Sequence, residues 1–134
     1  MKREKVTGRR DAGKYFGLPH AVMDSRNYLQ LSAQAVKLLN DIGRQYGGFN
    51  NGDLCATWSM MAKRGWKSRN TLFKALQELL YYGLIIKSKQ GGKHAPTLYA
   101  LTWQSVDECK GKLDIKETIR PLGDWKTDKP NMKN

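Results

Sequence analysis

From Ser32 onward, hydrophobic residues recur at helical spacing: Ala33, Val36, Leu39, Ile42 and Tyr46 follow at three- and four-residue steps, with Lys37, Asn40, Asp41 and Arg44 between them. That pattern predicts an amphipathic helix capped by Ser32 and stopped by Gly47 and Gly48, because a serine hydroxyl accepts from a free backbone N–H and glycine tolerates the left-handed conformation at a helix end. The stretch Gly47-Gly48-Phe49-Asn50-Asn51-Gly52 is turn chemistry, so a loop is expected to about Ala56. Thr57 then caps a short second helix through Arg64, with Trp58, Met60 and Met61 inward and Gly65 at its end. Trp66 and Lys67 form a tight connection. Ser68 caps a third helix whose stripe is Leu72, Ala75, Leu76, Leu79 and Leu80, closed by Gly83.

After Gly83 the rhythm changes. Leu84 to Lys89 and Thr97 to Trp103 read as two strands joined by the Gly-rich stretch Gln90 to Pro96, hence a hairpin. Helix, helix, tight turn, helix, hairpin is the order of a winged helix-turn-helix, so the expected class is α+β, mainly α: a three-helix core with a C-terminal β-hairpin wing. Upstream, Tyr15 to Leu18 reads as a short extended piece ended by Pro19, and Asp24 or Ser25 as the cap of a helical turn reaching Tyr28. Residues 1–14 are expected to be a flexible basic arm, 15–109 the domain, and 110–134 an extended or disordered tail pinned by Leu113, Ile115 or Trp125.

Charge sharpens this picture. The 134 residues hold 24 Lys and Arg against 12 Asp and Glu, a net +12. Residues 54–94 alone hold eight bases and one acid, Glu78, while residues 31–53 balance. A surplus concentrated on one module favours a polyanion there. In a helix-turn-helix the second paired helix enters the major groove, about 12 Å wide, with its N-terminal residues against base edges. Here the exposed positions are Arg69, Asn70, Phe73, Lys74 and Gln77, able to donate to guanine, pair with adenine or touch a thymine methyl. Lys63, Arg64, Lys67, Ser68 and Thr71 surround that helix start, where free N–H groups and the dipole favour phosphate. Lys87, Lys89, Lys93 and His94 on the hairpin would lie along the backbone or minor groove. Arm, helix and wing together would neutralise roughly six to ten phosphates, with a steep salt dependence.

Other chemistries find little support. Phe73 and Tyr81, at outward positions, are expected to bury against the N-terminal segment or a second copy rather than touch bases. Trp58, Trp66, Tyr99 and Trp103 are expected in the core. Cys55 and Cys109 stand apart with no CxxC or Cys/His cluster, so ordinary reduced thiols are expected, with no metal and no cofactor. No HExxH, GxSxG or GxxxxGK[ST] run occurs, and an enzyme is not expected. No apolar run approaches the roughly eighteen residues of a membrane span, and the polar start lacks a signal-peptide core, so a cytoplasmic protein without membrane contact is expected.

The stretches Leu18 to Ser25, Asn50 to Leu54, Lys63 to Ser68, Gln90-Gly91-Gly92 and Leu98 to Trp103 together resemble a family of small bacterial helix-turn-helix proteins of phages, plasmids and other mobile elements. They are also similar to the winged-helix part of some replication initiators. The resemblance spans roughly Tyr15 to Asp114 and implies a winged helix and DNA binding, without a target sequence or catalytic residues. Three functions follow as expectations. The first is a sequence-specific regulator binding double-stranded DNA as a homodimer. The second is a replication or maintenance factor on repeated sites. The third is an inhibitor or adaptor using Phe73, Tyr81 and Tyr82 to bind a protein partner.

Overall fold

The computed structural model describes residues 13–132, so residues 1–12 of the expected basic arm lie outside the described part; Gly13 and Lys14, which end it, are exposed. The described chain is an α+β fold of five α-helices and a three-stranded antiparallel sheet. In chain order these are α1 (His20–Met23), α2 (Arg26–Leu29), α3 (Ala33–Gly43), β1 (Leu54–Cys55), α4 (Trp58–Ala62), α5 (Arg69–Tyr81), β2 (Ile85–Lys89) and β3 (Leu98–Leu101).

Hydroxyl caps start four of the helices. Ser25, Ser32, Thr57 and Ser68 each accept from the backbone N–H three residues on, which satisfies one of the otherwise free N–H groups of the first turn. The ends of α4 and α5 share one device. Trp66 N–H donates to Met61 and Gly65 N–H to Ala62, as Leu84 N–H donates to Leu79 and Gly83 N–H to Leu80. This is the Schellman closure, and it requires the left-handed φ of +99° at Gly65 and +75° at Gly83. Helix α3 stops at Gly43, short of the expected Tyr46, because Gln45 and Tyr46 donate three residues back and tighten the last turn.

Two expectations about α3 are corrected. Ala33 is exposed and Val36 only half-buried; the inward stripe is Ala35, Leu38, Leu39 and Ile42, one position off the expected face at its start. That rotation carries Asp41, expected outside, into the interior. The stripe packs on Leu72, Ala75 and Leu79 of α5, and Met61 of α4, Leu84, Ile85, Tyr99 and Leu101 complete the core. Trp66 and Trp103 are buried with them, and Trp58 is half-buried at the edge.

Strand β3 is central in the order β1-β3-β2, and all four of its residues are buried. Leu54 pairs with Tyr99 on one side, and Ile85 with Leu101 on the other. Strand β1 lies where a loop was expected. The turn before it is tied to the end of β3 by Asn51, fully buried, whose side-chain oxygen accepts from Leu101 N–H while its side-chain amide donates to the carbonyls of Leu101, Gln104 and Ser105. A bulge between Lys87 and Lys89 turns Ser88 inward, where its hydroxyl donates to the Gly52 carbonyl.

Beyond Trp103 the chain continues without helix or strand apart from 3-10 turns at Cys109–Gly111 and Asp124–Lys126. It runs back over α2 and the end of α5. Asn27, fully buried, donates to the carbonyls of Trp125 and Thr127 and accepts from Lys129 N–H. The Tyr81 phenol donates to the Pro130 carbonyl, and the Tyr82 phenol accepts from Met132 N–H. Among the described residues, no helix is long and apolar enough to cross a membrane.

A candidate nucleic-acid interface on α5 and the turn before it

The α5 stripe that faces the core leaves the opposite side of the helix to solvent. At about 100° per residue, Arg69, Asn70, Phe73, Lys74 and Gln77 fall within an arc of about 140°. The first four are exposed and Gln77 is half-buried. Phe73, in the middle of the row, is 59% exposed and covered by nothing described, so any burial of it falls to residues 1–12 or a second copy, which lie outside the described residues. Arg69 leans toward α4, its guanidinium 5.3 Å from the Trp58 ring centroid, a cation–π contact that holds it at the edge of the row.

The turn before α5 is set by Asp41. Its carboxylate, 5% exposed, accepts from Lys37 Nζ at 2.9 Å, Arg64 Nε at 2.9 Å and the Trp66 indole N–H at 2.8 Å. Lys37 Nζ also donates to the Arg64 carbonyl. Burial pushes the Asp41 carboxyl up, but the hydrogen bonds from Arg64, Trp66 and Lys37 and the Lys37 charge outweigh it and hold the group below its ordinary value. A buried carboxylate on α3 thus grips both ends of the α4–α5 turn, and Arg64 keeps its outer guanidinium nitrogens for another partner.

Lys67, Ser68 and Thr71 come together with Lys37 around a shallow cleft of about 230 Å³ at the start of α5. The Ser68 hydroxyl accepts from Thr71 N–H and keeps its proton to donate to a ligand oxygen. Lys63 and Arg64 line a separate cleft on the other side of the turn, with Arg44, Thr57 and Ser59. The hairpin residues divide. Lys87 Nζ donates to the Gln90 side chain, Lys89 lies 3.8 Å from Asp114, and Lys93 and His94 are exposed at the tip. Among the described residues, no carboxylate pairs with Lys63, Lys67, Arg69, Lys74 or Lys93.

One further expectation changes. Of the proposed protein-docking set, Tyr82 is buried and Tyr81 half-buried under residues 129–130, with Lys129 Nζ 5.3 Å from its ring centroid; Phe73 alone stays open. Glu78, the one acid of the basic module, accepts from the backbone N–H and hydroxyl of Ser32, tying α5 to the start of α3. Burial raises both the Cys55 and Cys109 thiols, which disfavours the reactive thiolate. Among the described residues, no group of three or more His, Cys, Asp or Glu is placed to hold a metal ion.

Asp41 and Lys37 were missed in the sequence as parts of this site. The signal was there: with the stripe set on Leu38 and Ile42, a carboxylate at 41 lies on the inward side and calls for partners. Comparison with protein-family models, with curated proteins and with solved structures returns no match, and the chemistry of this surface therefore carries the functional reading alone.

Proposed function

We infer that the domain is a winged helix-turn-helix that binds double-stranded DNA sequence-specifically, with α5 in the major groove and the β2–β3 hairpin as its wing, serving as a regulator. The observation that carries this reading is the open row Arg69, Asn70, Phe73 and Lys74, in which Arg69 and Lys74, like the neighbouring Lys63 and Lys67, pair with no carboxylate among the described residues. The order of three helices followed by a hairpin, with a short strand completing the sheet, supports it. In this reading Asn70 and Arg69 address base edges, Phe73 a thymine methyl, and Lys67, Thr71 and Lys93 the phosphates.

The test is selection from random-sequence duplex DNA at two salt concentrations, with sequencing of what is retained. Enrichment of one motif that survives the higher salt is the expected result. Asn70→Ala is expected to lose about 1–3 kcal/mol of discrimination at one base-pair position, and Lys67→Ala to weaken every sequence alike. Equal losses on all sequences for both variants overturn sequence reading. The exposed Phe73 favours a second reading, in which the same helix face docks on a protein. A partner that stays bound after nuclease treatment and is lost in Phe73→Ala would select it.

A further inference from the structure

Arg44 and the pair Lys63-Arg64 belong to two separate stretches of chain, the end of α3 and the turn that follows α4, yet they line one open cleft of about 440 Å³. Thr57 and Ser59 add hydroxyls to the same wall. The only acid there is Asp41, which is buried and already accepts from three donors. Arg44 also lines an adjoining cleft of about 280 Å³ with Lys14 and Tyr15, the point at which the chain enters from residues 1–12. Those twelve residues contain Lys2, Arg3, Lys5, Arg9 and Arg10 against Glu4 and Asp11. At the other end, Arg69 leans over Trp58, the first residue of α4, and so joins the α5 row to the cleft.

We propose that this cleft is a second phosphodiester site, a basic track along the outer side of α4 that carries bound DNA beyond the part read by α5 and delivers it to the root of the N-terminal segment. The ligand class follows from the lining. Arg44, Lys63 and the outer nitrogens of Arg64 are donors only, as a phosphate oxygen requires, and the cleft is open enough for a continuous strand to pass. Arg64 is the best placed of the three, because its contact with Asp41 fixes the guanidinium before any ligand arrives. The track rests on the DNA-binding reading given above and adds Arg44 and Lys14 to it.

The experiment is fluorescence anisotropy of the full chain with labelled mixed-sequence duplexes of about 12 and about 30 base pairs, each titrated across a salt series so that the slope of log affinity against log salt counts phosphates. Wild-type protein is expected to show a steeper slope on the longer duplex. Arg44→Gln and Lys63→Gln, both at exposed positions with no structural partner among the described residues, are each expected to lower the long-duplex slope by about 0.9 and to leave the short-duplex slope unchanged. Unchanged slopes in both variants, or equal losses on both duplexes, overturn the track. If wild type binds the short duplex and Lys67→Gln weakens it, the α5 reading stands whatever the track does. If wild type binds neither duplex at low salt, both fall.

Discussion

Asp41 brings a formal charge into the interior, and the three donors around it explain why it stays charged there. An unfolded chain takes up the Asp41 proton near its ordinary value of 3.8, while the folded carboxyl holds out to lower pH. Its stabilising contribution is therefore complete above about pH 4 and drains away below it, as the folded group is protonated. Asp41→Asn is expected to lower stability by about 2 kcal/mol at neutral pH, because Arg64 and Lys37 can still reach water. In urea melts across pH, the gap to wild type should narrow as the pH falls below 4; a gap that does not move with pH would mean that the carboxylate acts by shape alone. The sequence pattern around this residue was legible only in part. The helix and its cap were readable, but of the five expected inward positions only Leu39 and Ile42 are buried; the first inward residue is Ala35 rather than Ala33, and a small alanine gives the pattern no weight to decide between them.

Helix starts and stops were the most readable feature of the elements, because each rests on local chemistry: a hydroxyl at 25, 32, 57 or 68 and a glycine at 65 or 83. Ser68→Ala is expected to cost about 1 kcal/mol, measured by thermal or urea denaturation. The two closing glycines provide a sharper comparison. Both have positive φ, but a Cβ at Gly65 meets nothing within 4 Å whereas one at Gly83 would stand 2.7 Å from the Asp124 carbonyl oxygen. Gly83→Ala should therefore be more destabilising than Gly65→Ala by about 1 kcal/mol or more, since the strain of the left-handed conformation is common to both. Equal losses would mean that the Asp124 segment yields freely. Strand β1 was illegible, for two residues cannot show alternation and their partners lie more than 40 residues away in β3. Of the candidate interface, the α5 row was readable from helical periodicity, while the clefts around it depend on which chain segments meet and could not be.

At the scale of the molecule, the last stretch of chain acts as a strap across α2 and the end of α5. Asn27 holds it through three backbone groups between Trp125 and Lys129. Asn27→Ala should free that stretch and speed tryptic cleavage at Lys126, followed as the rate of loss of intact chain; an unchanged rate would show that Tyr81, Tyr82 and Gln30 suffice to hold it. The same strap shields Tyr81 and Tyr82, which sequence reasoning had left open to partners, because a segment without periodicity gives no sign of what it will cover.

The partners of Asn27 lie 98 to 102 residues further along the chain. A ribosome makes residue 27 well before residues 125–129, so during synthesis a side chain destined for full burial waits with its amide still hydrated. The three-helix core can assemble from residues already made, whereas the α2 end of the domain closes only when the strap has emerged. Closing so long a loop is slow relative to packing local helices. The molecule therefore has a built-in order of assembly, in which the start of α5 matures first and the surface over α2 and the end of α5 is sealed last.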